Sequence, residues 1–198
     1  MRIFRLAATT LAALGLAACV APMGPVEVTR FHQPAALETL GTGTIAIEAA
    51  AGQDPASLEL QSYRRAVAAE LVSLGYSEVA EGTGTQVALV RIRRTDLQPN
   101  RDGSPVSVGV GGSTGSYGSG VGVGIGLDLS GPPPEQVTTE LGVMIRERAT
   151  DETLWEGRAR FTVRASSPLA QTQLGAPKMA DALFLDFPGN NGETVKVP

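Results

Sequence analysis

Val137-Thr138-Thr139-Glu140-Leu141-Gly142-Val143-Met144-Ile145-Arg146 and, nine residues on, Trp155-Glu156-Gly157-Arg158-Ala159-Arg160-Phe161-Thr162-Val163-Arg164 decide the fold of this chain. Val137, Thr139, Leu141, Val143 and Ile145 alternate with more polar neighbours, and so do Trp155, Gly157, Ala159, Phe161 and Val163. Period two is the signature of a strand with one buried face, and the turn residues Thr150-Asp151-Glu152 lie between the two runs. Their pattern predicts an antiparallel hairpin with one face in the core and one in water. Trp155 is expected to fill the core beneath helices.

The first such helix is predicted over Ser57–Leu74. Leu60, Tyr63, Val67, Leu71 and Leu74 recur at helical spacing, and Gly75 follows where a C-cap glycine belongs. Thr85–Arg94 is apolar on both faces in its first half, as a strand inside a sheet requires, while Arg91 and Arg93 mark its wet side. Val26–Phe31 and Thr44–Ala49 are short β-rich runs, and Asp96–Pro105 is rich in loop residues. A closing helix is predicted over Pro177–Phe187, with Pro177 in its first turn, and Pro188-Gly189 ends it. The last residues, 190–198, read as a loose tail. Together these elements predict an α+β domain over 26–189: a two-layer sandwich, mainly antiparallel, with two helices on one face.

Between the central strand and the hairpin lies the oddest segment, residues 106–129, which holds nine of the 24 glycines. Val121, Val123, Ile125, Leu127 and Leu129 alternate with Gly120, Gly122, Gly124, Gly126 and Asp128, and Val106, Val108 and Val110 supply a partner run. This pattern predicts a glycine-rich β-hairpin with its turn at Gly112–Gly118. Such a ribbon would serve either as a mobile flap with weakly fixed register or as an edge that a ligand or backbone approaches closely. A small-residue helix face is the third reading, opposed by the β-branched residues at alternate positions.

The N-terminus places the domain in a cell. Arg2 and Arg5 precede an uncharged run, Leu6–Leu16, which is too short for the roughly 20 residues a membrane helix needs. Leu16-Ala17-Ala18-Cys19 resembles the lipobox of bacterial lipoproteins, in which the cysteine is acylated and becomes the first residue of the mature chain. The resemblance implies a signal peptide over 1–18, an acylated Cys19 and a Pro/Gly tether over 19–25. With Val20 and Ala21 rather than Asp after the cysteine, the expected location is the outer membrane, facing the periplasm. Two or three acyl chains make such attachment effectively permanent.

Composition narrows the chemistry. Loss of Arg2 and Arg5 moves the formal charge from -4 to -6, which disfavours nucleic acid as a partner. Cys19 is the only cysteine and His32 the only histidine, so no transition-metal or redox constellation is expected, and no cofactor. An enzyme would need a nucleophile with its base, paired carboxylates or a metal. Glu140, Glu147, Asp151, Glu152 and Glu156 are explained as solvated faces and turns of one hairpin, so no catalytic residue is assigned.

The whole mature chain resembles the family of bacterial lipoproteins described as the domain of unknown function 4136. The resemblance is carried by the lipobox, the helix ending in Leu74-Gly75-Tyr76, the strand Val87–Arg91, the glycine-rich insert, Thr153-Leu154-Trp155-Glu156-Gly157-Arg158-Ala159 and the closing helix before Phe187-Pro188. The chain departs from the family pattern at Gln86, where an Asp usually begins the middle strand, and in its first strand, whose Tyr-rich stretch is degenerate. The resemblance implies a two-layer α/β domain and brings no catalytic residues.

Positive charge nominates the one candidate surface. Arg91, Arg93, Arg146, Arg148, Arg158, Arg160 and Arg164 fall on the wet parity of three predicted strands, and neighbouring strands would gather them on one face. Such a face suits lipopolysaccharide phosphates, phospholipid headgroups or an acidic protein surface. The alternative is a solvated face whose arginines pair across strands with Glu140 and Glu156. The expected function is therefore a non-catalytic binding or structural module of the cell envelope, held in the membrane by acylated Cys19, with envelope proteins or anionic lipid as partners. The second reading is an accessory protein that handles lipid or lipopolysaccharide through the arginine face.

Overall fold

A computed structural model of the chain describes residues 24–97, 106–115, 118–127 and 134–198. Cys19 and the segment before it lie outside these residues. In chain order the elements are β1 (Val26–His32), β2 (Thr44–Ala49), α1 (Leu58–Ser73), β3 (Ser77–Val79), β4 (Gln86–Leu97), β5 (Val106–Gly115), β6 (Gly118–Leu127), β7 (Gln136–Glu147), β8 (Thr153–Arg164), α2 (Thr172–Phe184) and β9 (Thr194–Val197). Seven strands form one sheet in the order β3-β2-β4-β7-β8-β1-β9. β2 pairs parallel with β3 and β4, and the other four pairings are antiparallel. The sheet is mixed and, with its two helices, makes the chain α+β.

The alternation read from β7 and β8 places their residues as expected. Val137, Thr139, Leu141, Val143 and Ile145 are buried, as are Trp155, Gly157, Ala159, Phe161 and Val163. They share a core with Ile45, Ile47, Ala88 and Val90 of the sheet, Leu60, Tyr63, Val67 and Leu71 of α1, and Met179, Leu183 and Phe184 of α2. Local chemistry explains where α1 starts and stops. Ser57 Oγ accepts the Leu60 N–H at 3.3 Å, an N-cap bond. At the other end Tyr76 N–H donates to Leu71 O and Gly75 N–H to Val72 O, both at 3.1 Å, the two bonds of a Schellman motif. Gly75 has φ +109°, and a Cβ there would stand 2.7 Å from Gly41 O, so only glycine fits.

Four expectations change. α2 begins at Thr172, not Pro177, and Pro177 lies inside it. Burial decides this: Gly175 and Ala176 are buried ahead of the proline, and their packing outweighs the one helical bond that Pro177 forfeits. Residues 190–198 are not a loose tail. They include β9, which pairs antiparallel with β1 from Val26↔Val197 to Thr29↔Thr194 and buries Val197. β4 runs to Leu97, through residues expected in a loop, because its whole length pairs with β7. In the glycine-rich segment β5 pairs antiparallel with β6 from Val106↔Leu127 to Gly115↔Gly118. Gly112–Gly115, expected in a turn, therefore belong to β5.

Candidate cationic site on the sheet

The outward parity of the sheet carries the charge, and register arranges it in rows across the strands. One row runs Arg93, Glu140, Arg160, Glu27 and Lys196 through β4, β7, β8, β1 and β9. Its signs alternate. Glu140 bridges two arginines: Oε1 lies 2.7 Å from Arg160 Nη2, and Oε2 lies 3.7 Å from Arg93 Nη1. Lys196 Nζ stands 3.6 Å from Glu27. The hydrogen bond from Arg160 holds the Glu140 carboxyl below the ordinary carboxylate range, and the charges of Arg160, Arg93 and Arg91 add to the effect.

The next row runs Arg91, Gly142, Arg158, Thr29 and Thr194. It contains no acid. A Cβ on Gly142 would meet Arg91 Nε at 2.6 Å and Cγ at 3.0 Å, so the Arg91 side chain lies flat across β7. Among the described residues Arg91 makes no ion pair, while Arg158 is held by Glu156 Oε1 of its own strand at 2.6 Å. Thr29 and Thr194 hydroxyls bond each other at 2.7 Å. A groove of about 470 Å³ runs over both rows, lined by Arg91, Arg93, Arg158 and Arg160 with Glu27, Glu140 and Gln53.

Register thus brings together four of the seven arginines singled out from sequence. Arg146 lies near the C-terminal end of β7 and Arg148 just past it: Arg146 pairs with Asp151 at 2.7 Å and Arg148 with Glu48 at 2.6 Å. The Glu48 carboxyl is held low first by the Gly82 N–H and then by Arg148. Arg164 sits opposite Gln136, exposed at the far end of β8. Glu156 pairs with Arg158 along its own strand rather than across strands, because its cross-strand neighbour on β7 is Met144.

Two further polar centres escaped sequence reasoning. Arg30 of β1 is buried, and its Nε and Nη2 donate to Leu183 O and Ala182 O at 2.9 and 3.0 Å. It satisfies carbonyls at the end of α2 that the helix leaves unpaired. The second joins α1, β4 and α2. Glu59 Oε1 accepts from Thr172 Oγ1 at 3.2 Å and lies 3.5 Å from Arg94, which also donates to Ala170 O at 2.9 Å. Both bind elements together, and only the partner geometry reveals them. Among the described residues no three His, Cys, Asp or Glu side chains converge as metal ligands, and no helix is long and apolar enough to cross a membrane.

The class of protein so defined is an α+β domain whose mixed sheet carries a cationic groove. The family model described as "Domain of unknown function (DUF4136)" matches residues 29–189, and the chain belongs to that family. A relative, "Uncharacterized protein ZMO1243" of Zymomonas mobilis, is 36% identical over 62 residues, 31% of this chain. The chain spans only 23% of that relative's length by this match. Among solved structures, a PDZ domain protein from Parabacteroides distasonis superposes with a TM-score of 0.50 at 11% identity, over 88% of this chain and 39% of the other, a likeness of fold alone. A PelC dodecamer from Paraburkholderia phytofirmans aligns with a TM-score of 0.39 at 12% identity, over 78% of this chain and 97% of that one.

Proposed function

We propose that this protein is a non-catalytic binding module of the bacterial cell envelope, held through acylated Cys19 at the periplasmic face of the outer membrane. In this reading the domain is a two-layer, mainly antiparallel sandwich in which the helices back one face of the sheet and the other meets the partner. The observation that carries it is the groove over β4, β7 and β8, where four arginines outnumber the two glutamates beside them. A face of excess cations steers and orients an anionic partner. Its partner is an envelope protein with an acidic surface, and nucleic acid is not among the candidates.

Crosslinking in cells tests this, with Cys19→Ser as the unanchored control and mass spectrometry of what is captured. A discrete protein captured by the native chain and lost in the control is the expected result. An identical captured set with and without Cys19 would sink the membrane-organised role. A second reading, an accessory protein that handles anionic lipid or lipopolysaccharide, is favoured by one specific feature, the acid-free row of Arg91 and Arg158. Capture of only abundant neighbours would favour it over the first.

A further inference from the structure

The two charged rows of the sheet differ at one position. In the first, Glu140 on β7 stands between Arg93 on β4 and Arg160 on β8, and gives one carboxylate oxygen to each. In the second, Gly142 stands between Arg91 and Arg158 in the same relation. Strands lie about 4.8 Å apart, so the Cα atoms of Arg91 and Arg158 are separated by roughly 10 Å, a gap that two arginine side chains close around one small anion. The first row holds its own anion, and the second has the cations without one.

We propose that the surface over Gly142, where Arg91 lies across β7 beside Arg158, is an oxyanion site, in which a phosphate group seated on the two guanidinium groups supplies the anion that Glu140 supplies one row away. Three features build it. Gly142 carries no side chain, so Arg91 packs down over it, with its Nε 2.6 Å from where a Cβ would be, and its guanidinium lies toward Arg158 rather than being held by an acid in the row. Arg91 makes no ion pair among the described residues, its nearest acidic influence being Glu140 one row away, and Arg158 has one acidic partner, Glu156. The planar fork of a guanidinium matches the paired oxygens of a phosphate. The groove is several times larger than one anion, and Gln53 and the Thr29 and Thr194 hydroxyls line it beside this surface. The ligand is thus a phosphate carried on a hydroxyl-rich body, such as a glycerol or sugar, either free or as a lipid headgroup. This deepens the second reading of function and depends on it.

The test is calorimetric titration of the full acylated chain in neutral-detergent micelles. One arm adds glycerol 3-phosphate, and the other compares micelles doped with phosphatidylglycerol against undoped ones. Saturable binding is expected in at least one arm, and the arm that saturates more tightly identifies the source. Arg91→Gln and Arg158→Gln are expected to weaken it by about tenfold each, the equivalent of one charge-assisted hydrogen bond. Arg93→Gln, whose cation is already occupied by Glu140, is expected to change it by less than about twofold. Gly142→Glu supplies the missing carboxylate and is expected to abolish binding while the melting temperature holds or rises. No saturation in either arm, or equal losses in Arg93→Gln and Arg91→Gln, would overturn the site. If Gly142→Glu fails to fold, the three arginine variants decide alone. Phosphatidylglycerol micelles bound equally by the parent and by Arg91→Gln and Arg158→Gln would overturn the site while leaving the lipid-handling reading standing.

Discussion

Gly157→Ala is the substitution whose outcome the packing decides most sharply, because two physical effects oppose each other in sign. In the interior of a strand, alanine is favoured over glycine by roughly 0.5–1 kcal/mol, since glycine loses more backbone entropy on folding. With open space above Gly157 the variant would be more stable. The space is not open. A Cβ there would lie 2.2 Å from the Trp155 ring and 2.8 Å from Leu183 Cδ1. Trp155 cannot turn aside: it stacks on Phe184 at 5.4 Å, meets Phe187 at 5.3 Å, and donates Nε1–H to Pro188 O at 3.0 Å. Overpacking of a filled core costs about 1–3 kcal/mol, and a contact this short belongs at the upper end. The net expectation is a loss of about 2 kcal/mol, which lowers a urea midpoint by roughly 1 M for a typical m-value. Trp155 is the sole tryptophan, so its fluorescence reports both the unfolding and the disturbed ring directly. Gly142→Ala is the matched control, since the Arg91 side chain it would touch is solvent-exposed and free to swing away. A midpoint for Gly157→Ala at or above the parent's would refute the packing argument.

Tyr63 gives an alkaline prediction. Burial pushes its hydroxyl up from 10 to about 12, with the nearby Glu59 carboxylate adding to the rise. The folded state keeps the proton that the unfolded chain releases near pH 10, so this stabilisation is fully present below pH 10. It is lost as the pH climbs toward 12, at up to roughly 1.4 kcal/mol per pH unit. Tyr63→Phe should therefore move the onset of alkaline unfolding upward; an unchanged onset in a pH-ramped fluorescence scan would contradict it. Arg30→Met removes both donors to the end of α2, and a loss of about 2–4 kcal/mol is expected in denaturant unfolding. A change under about 0.5 kcal/mol would show that water replaces the guanidinium there. Deletion of Thr194–Pro198 strips β9 from β1 and bares a sheet edge, so the truncated chain should both melt earlier and associate in light scattering. Monodisperse behaviour at the parental melting temperature would return this segment to the status of a tail.

The single-residue clues in the chain were legible because their causes are local. Alternation along β7 and β8 reflects the two faces of one strand, and the caps of α1 at Ser57 and Gly75 reflect backbone groups within a turn of those residues. Membership of an α+β domain follows from such periods alone. Sequence parity put the arginines on the wet side, where Arg91, Arg93, Arg158, Arg160 and Arg164 are exposed, yet it drew Arg146, Arg148 and Arg164 into one surface with the other four. Parity says which face a residue is on and nothing about which row.

Rows are set by register, and register is fixed by pairing between segments about fifty residues apart in the case of β4 and β7. Only the folded sheet makes Gly142 the neighbour of Arg91 and Arg158 while Glu140 takes Arg93 and Arg160. The start of α2 and the existence of β9 were hidden for the same reason. A proline inside a helix and a short polar C-terminal run look unstructured by themselves, and it is burial against α1 and a free edge on β1 that order them. Local periodicity by itself determined α1, the long strands and their inner faces; long-range pairing and burial decided the short edge strands, the start of α2 and where the charges meet.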